Sequence, residues 1–265
     1  MSDNRYPSPG SQVRTTLSHK GRGILVAGVL MLAGIANAAE IRVIGSPGFR
    51  EAYTELVPGF EKATEHHVVT QWGGVNEVAK RVADGETADI VILPVAQIDD
   101  LLKQGKLVFG SRTDVAKSGV GVAIRAGAPK IDISSGDALK KALLAAKSIS
   151  YSTGPSGVHI ARLIQQWGIA DAVKSKIVVA PSDTPVGEVV ARGQAEIGFQ
   201  QVSELLRIKG IDYLGPLPAE VQEVTVFAAG LHKSAAAPDA AKALMKFLSA
   251  PAAAPIIKKT GMEPG

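Results

Sequence analysis

A turn of small residues between a predicted strand and a predicted helix is the first candidate for a binding site in this sequence. A short β-type run at residues 149–152 leads into Thr153-Gly154-Pro155-Ser156-Gly157, and apolar residues then recur at helical spacing as far as Trp167. A helix start of this kind offers free backbone N–H groups and the positive end of the helix dipole to an anion. Thr153 and Ser156 add hydroxyls. An ordinary capped helix gives the same pattern, so the rest of the chain must decide between the two interpretations.

Two more turns of the same kind occur earlier in the chain. Ser46-Pro47-Gly48 follows a predicted strand at residues 41–44, and Gly73-Gly74 follows one at residues 67–71. A buried apolar run at residues 88–93 continues the alternation of strand and helix, which is typical of a parallel sheet covered by helices. Ligands of such sheets bind at the carboxyl ends of the strands, beside the helix starts. The sequence therefore predicts an anion site that includes Ser46, Gly48, Gly74, Thr153, Ser156 and Gly157.

The sequence lacks the residues that several other kinds of chemistry require. The chain has no cysteine, no HExxH motif, no GxSxG motif and no P-loop, so neither a metal nor a cofactor is expected. His159 lies in the first turn of the helix after Gly157. It is either a solvated first-turn residue or, in an enzyme, the group that transfers a proton near neutral pH.

The N-terminus predicts export. Residues 1–23 are basic, residues 24–35 form an apolar run, and Ala36-Asn37-Ala38 has the small residues of a cleavage site. The apolar run is shorter than a membrane-spanning helix requires. We therefore expect residues 1–38 to be a signal peptide and the mature protein, residues 39–265, to be soluble in the periplasm.

The composition of the mature chain argues against a nucleic-acid partner. The leader holds four basic residues and one acidic one, which leaves 25 Lys and Arg against 24 Asp and Glu in residues 39–265. A net charge this close to zero provides no basic surface for a phosphate backbone. The length fits either two small lobes or one large domain, and we expect a monomer.

Three stretches resemble the molybdate-binding family of periplasmic solute-binding proteins. They are IRVIGSPGFREAYTELVPGFEKAT from residue 41, GGVNEVAKRVADGETADIVIL from residue 73, and residues 224–262. The resemblance implies an α/β, two-lobed type II periplasmic binding protein fold, each lobe a mixed, mainly parallel sheet flanked by helices. It places lobe 1 at residues 39–118 and 231–265 and lobe 2 at 119–230, with crossover strands near 118–124 and 224–229. Ser118 would then bind ligand at the hinge.

The ligand positions depart from that family's pattern. By the resemblance, Gly48 stands where the family has a serine, Gly74 or Val75 where it has a second serine, and Gln201 where it has a tyrosine. An amide both donates and accepts hydrogen bonds. We therefore expect Gln201 to bind ligand, in a wider site that suits a small carboxylate.

Two functions follow from this resemblance. The first hypothesis is a non-enzymatic protein that captures a small anion, either a molybdate-like oxyanion or an organic carboxylate, and delivers it to the membrane permease of an ABC transporter. The alternative is an isomerase similar to aconitate isomerase, a periplasmic enzyme with the same fold. In that enzyme His159 would be the base, and Arg50 or Lys80 would hold carboxylates. No motif in the sequence separates the two hypotheses.

Overall fold

A computed structural model describes residues 38–265, so the predicted signal peptide lies outside the described residues apart from Ala38. Within this part of the chain, ten strands form one sheet. The strands are β1 (Glu40–Gly45), β2 (His67–Trp72), β3 (Ile90–Pro94), β4 (Thr113–Arg125), β5 (Ile149–Tyr151), β6 (Ile177–Val179), β7 (Ile197–Gln201), β8 (Ile211–Pro216), β9 (Val224–Leu231) and β10 (Glu263–Pro264).

Helices follow most of the strands, as the alternating pattern predicted. Pro58 lies inside the first of them and does not end it. The helices are α1 (Arg50–Thr64), α2 (Val75–Ala83), α3 (Val95–Lys103), α4 (Gly136–Ala145), α5 (Pro155–Gln166), α6 (Ala170–Val173), α7 (Val186–Ala191), α8 (Val202–Leu205), α9 (Pro238–Leu248) and α10 (Ala254–Lys259).

The sheet has a parallel group of strands toward each end and an antiparallel centre. Its order is β2-β1-β3-β9-β4-β7-β5-β6, with β8 and β10 also paired to β4. β1 is parallel to β2 and β3, and β5 is parallel to β6 and β7. β9 runs antiparallel to both β3 and β4, and β4 runs antiparallel to β7. This arrangement confirms the predicted two-lobed α/β architecture with mixed sheets.

The central strand β4 connects the two groups. Its first part, from Thr113 to Gly119, pairs with β9, and its second part, from Val120 to Ile124, pairs with β7. The segments predicted as crossover strands, 118–124 and 224–229, lie within β4 and β9. One apolar core surrounds β1, β3, α1 and α9, and a separate one surrounds β5, β7, α4 and α5. The lobe boundaries at 118, 119, 230 and 231 remain a prediction.

The C-terminal helices belong to the first of these cores. Among residues 38–265 no single helix is both long and apolar enough to cross a membrane. Only the pair Pro238–Leu248 and Pro251–Lys259, bent by 54°, meets the length and composition test when its two parts are combined. Leu244, Leu248 and Ile257 from this pair are buried in the core with α1.

Candidate functional site

A cavity of about 390 Å³ lies where the carboxyl ends of β1, β2, β5 and β7 meet the starts of the helices that follow them. Its wall includes residues from both strand groups. The polar and charged side chains of its lining are Arg50, Glu77, Ser152, Thr153, Ser156, Ser182, Asp183, Thr184, Gln200, Gln201, Glu204 and Arg207.

The three turns singled out in the sequence come together at this cavity. Gly48 precedes α1, Gly74 caps α2, and Thr153 and Ser156 flank the start of α5; all four line the cavity. At the α5 turn, the N–H of Gly154 donates to Ser152 Oγ at 3.2 Å. Parallel strands thus bring together three helix starts that are distant in sequence, and their free N–H groups favour a bound anion.

Gly48 has a structural reason to lack a side chain. A Cβ built on it would lie 2.1 Å from Cζ of Phe227, a ring in β9 that also lines the cavity. The carbonyl oxygen of Gly48 accepts a hydrogen bond from Ser203 Oγ at 2.7 Å. A serine at this position would collide with Phe227, so the hydroxyl that the resemblance expects here cannot be accommodated without rebuilding the wall.

Gly157 does not line the cavity, but it allows close packing behind the cavity wall. A Cβ on Gly157 would lie 1.6 Å from the carbonyl oxygen of Ser152, closer than any real contact. Glycine therefore allows the first turn of α5 to pack directly on the turn that precedes it. This packing places Thr153 and Ser156 at the cavity wall.

Gln201 lines the cavity, but its amide is engaged at the centre of the sheet. The side-chain nitrogen of Gln201 lies 2.9 Å from Thr225 Oγ1. With its oxygen turned to Thr225, its nitrogen donates to the carbonyl oxygens of Ser118 at 3.1 Å and Gly119 at 3.2 Å. Ser118 is buried and lies outside the lining. These two predicted ligand residues thus join β4, β7 and β9.

Ser46 lies just behind the cavity wall, next to Pro47 and Gly48. Its backbone N–H donates to the carbonyl of Ile92 at 3.0 Å. Its hydroxyl is fully buried and has no hydrogen-bond partner within residues 38–265. A buried hydroxyl without a partner is costly, and its place at the end of β1 keeps it a candidate for ligand binding.

His159, the predicted base, lies outside the cavity lining. Its Nδ1 accepts from Arg162 at 2.9 Å, and its Nε2 donates to the carbonyl of Val221 at 2.7 Å. Arg162 in turn pairs with Glu223. Lys80, the other predicted carboxylate ligand besides Arg50, also lies outside the lining and pairs with Asp84, the residue that follows the end of α2.

Three residues that were not predicted as site residues line the cavity instead: Gln200 near the end of β7, and Glu204 and Arg207 after it. Gln200 Nε2 donates to Glu204 Oε1 at 2.8 Å. Arg207 Nε lies 3.3 Å from an oxygen of Glu51 on α1. A glutamate directly before Leu205 and Leu206 was the available signal, because such a helix start would turn its charge either to solvent or into a cleft.

Burial has the largest influence on the pKa of Glu204, a residue that is 7% exposed. Burial raises its pKa to about 7, while Arg207 and the hydrogen bond from Gln200 oppose that rise and Glu51 adds to it. Carboxyl groups that lie in clefts and have a shifted pKa are often functional. Glu204 can therefore both hold and release a proton near neutral pH.

Arg50, the first residue of α1, supplies a second guanidinium to the lining. Its Cζ lies 5.9 Å from the ring centroid of Trp72, which also lines the cavity. An aromatic face held beside a guanidinium orients it without neutralising it. Within residues 38–265 no group of three His, Cys, Asp or Glu side chains is arranged to hold a metal ion. The cavity thus offers two guanidinium groups, helix starts, hydroxyls and one buried carboxyl.

Comparison with known proteins shows which family this chain resembles. Residues 41–263 match the family model of the bacterial extracellular solute-binding protein. An aconitate isomerase from Pseudomonas sp. is 34% identical over 251 residues, covering 91% of this chain and 95% of that protein. The molybdate-binding protein ModA of Azotobacter vinelandii is 28% identical over 249 residues, covering 91% and 96%.

A solved structure shows the same fold. The periplasmic molybdate-binding protein of Azotobacter vinelandii superposes with a TM-score of 0.72 at 24% identity, covering 85% of this chain and 99% of that one. This likeness confirms the predicted fold class. Because the family model spans nearly all of the described residues, the chain belongs to the bacterial extracellular solute-binding protein family.

Proposed function

We propose that this chain binds a small organic polycarboxylate in the cavity between Gly48, Gly74 and Thr153. The observation that carries the proposal is the pair of guanidinium groups, Arg50 and Arg207, in the lining of one cavity. Arginine forms paired, charge-assisted hydrogen bonds with carboxylates. Two such groups in the lining of one cavity match a ligand with at least two carboxylates.

The cavity fits an organic anion better than a tetrahedral oxyanion. Its volume of about 390 Å³ lies in the range of small-molecule pockets. The serine that the resemblance expects is replaced by Gly48, where Phe227 leaves no room for a side chain. These features support a carboxylate ligand over molybdate.

Capture would take place in the periplasm, by closure of two lobes with boundaries near residues 118 and 231. The predicted leader and the family support export. A soluble monomer is part of this proposal. Contacts from both lobes would favour the closed state by population shift. In the first hypothesis the closed protein delivers its ligand to the permease of an ABC transporter, which is the role that the family supports.

A second candidate function is isomerisation of the bound polycarboxylate. It is favoured by the relative that is 34% identical over most of both chains and carries the name aconitate isomerase. Binding of the same ligand class is required in both cases. The two functions differ in whether the cavity also moves a proton.

Substituting Arg207→Gln is expected to weaken binding of trans-aconitate by about 1.5–3 kcal/mol, or roughly 10- to 150-fold, because a hydrogen bond between charged groups is lost. Isothermal titration calorimetry on the purified protein measures this change. The control is Arg192→Gln, which removes an exposed arginine that pairs with Glu188 on α7 and lies outside the cavity lining. Equal affinities of Arg207→Gln and the wild type would contradict the placement of a carboxylate at Arg207.

A further inference from the structure

Glu204 is the only buried carboxyl in the described lining of the cavity. Asp183 and Glu77 also line it, but both are exposed. Glu204 lies in the first turn of α8, where Ser203 and Leu205 beside it are buried as well. The end of β7 and the short helix that follows therefore carry this carboxyl into the wall.

The surroundings of Glu204 hold its side chain in place without neutralising it fully. Gln200 donates to Oε1, and no described residue donates to Oε2. Arg207 acts on it through space from the same wall, and Glu51 acts from α1 beyond Arg207. Arg50 also lines the cavity, and Glu77 and Asp183 are the remaining charged groups of the lining.

We propose that Glu204 is the catalytic acid–base residue of this cavity and moves a proton between two carbons of a bound unsaturated tricarboxylate. This inference rests on the proposed polycarboxylate site and decides between its two candidate functions. It identifies the chain as an isomerase and replaces His159, whose ring nitrogens are both engaged away from the cavity, in the role of base.

The proposed step is a balanced allylic shift. The ionised carboxylate of Glu204 takes a proton from the CH₂ group next to one carboxylate of the substrate. The electron pair of that C–H bond forms the new double bond, and the old double bond opens toward the carbon that bears the other terminal carboxylate. Glu204 then donates its proton to that carbon. The product has the formula of the substrate, and Glu204 returns to its ionised form.

The environment suits both halves of this step. An acid–base group works best when its pKa is close to the working pH, and burial raises the pKa of Glu204 to about 7. Arg50 and Arg207 would stabilise the negative charge that spreads onto the carboxylates in the intermediate. The helix starts at Gly74 and Gly154 add fixed N–H dipoles on the same cavity.

The test uses Glu204→Gln, which keeps the shape of the side chain and an oxygen that can accept from Gln200. Interconversion of cis- and trans-aconitate is followed by proton NMR, and binding of trans-aconitate by calorimetry. We expect wild-type turnover, and a loss of about 10²–10⁴-fold in the variant with affinity kept within about threefold. The control Glu188→Gln, on the outside of α7, should turn over like the wild type.

A pH profile separates catalysis from a merely structural role. Because the base must be ionised, wild-type kcat/KM should fall as the pH drops through about 7, and the residual activity of Glu204→Gln should lack this step. Aconitate binding without interconversion in the wild type overturns this inference alone. Activity of Glu204→Gln within about tenfold of the wild type, less than one general-acid–base group supplies, also overturns it. No binding of any tricarboxylate overturns the proposed function, and this inference with it.

Discussion

When the pH is raised from about 5 to about 8, the unfolding free energy of the wild-type protein is expected to decrease. The decrease should be roughly 2–3 kcal/mol larger than that of the variant Glu204→Gln. The ordinary carboxyl of an unfolded chain has a pKa of 4.5, whereas in the folded protein burial raises the pKa of Glu204 to about 7. Between these values the folded state binds more protons than the unfolded state. Its stability therefore falls as the pH rises through this window.

Urea unfolding at several pH values measures this difference. The stabilisation from Glu204 is fully present below the pKa of the unfolded chain and is lost once the pH passes the folded pKa. Glu204→Gln cannot titrate, so its curve should lack this fall, and Glu188→Gln should follow the wild type. Parallel stability curves of the wild type and Glu204→Gln would show that Glu204 is not a buried carboxyl with a raised pKa.

Substituting Gly157→Ala is expected to destabilise the protein by roughly 3 kcal/mol, at the upper end of the cost of overpacking. The new Cβ would lie 1.6 Å from the carbonyl oxygen of Ser152, which is backbone and cannot rotate away. The first turn of α5 must therefore move, and Thr153 and Ser156 move with it. Affinity for the ligand should fall together with stability.

Gly59→Ala is the matched control for this substitution. Gly59 lies inside α1, and the nearest atom to an added Cβ there is Cζ of Phe247 at 3.7 Å, an ordinary contact. Alanine in a helix should leave stability unchanged or raise it by about 0.4–1 kcal/mol. If Gly157→Ala unfolds in urea at the same concentration as Gly59→Ala, the close approach of α5 to Ser152 does not exist.

Local patterns were sufficient to predict most of the strands and helices, whereas the two-lobed fold was predicted from the family resemblance. Glycines in turns and the regular spacing of apolar residues located β1, β2, β3 and α5. The alternation of strand and helix predicted where the helix starts meet. β8 was not predicted because Ile211–Pro216 is an edge strand of half-buried residues with Asp212 and Gly215 inside it, and so lacks clean alternation. β10 has only two residues, too few for a pattern.

The site was predicted only in part, because side-chain direction depends on tertiary packing. Small residues at helix starts could be read from the sequence. His159, in contrast, adjoins the buried stripe of α5 and turns to Val221, a residue distant in sequence. Glu204 is buried by α8 packing beside β7, and Gly48 is required by the ring of Phe227. Such contacts between distant segments have no local sequence signal.

The most direct test of the polycarboxylate site is a melting experiment on the purified protein with cis-aconitate, trans-aconitate, citrate, molybdate and sulfate. A ligand present at ~100 times its dissociation constant adds about 2.7 kcal/mol to the unfolding free energy. The two-guanidinium cavity predicts that the tricarboxylates raise the melting temperature and that molybdate and sulfate leave it unchanged. A rise with molybdate or sulfate and none with any tricarboxylate would contradict it.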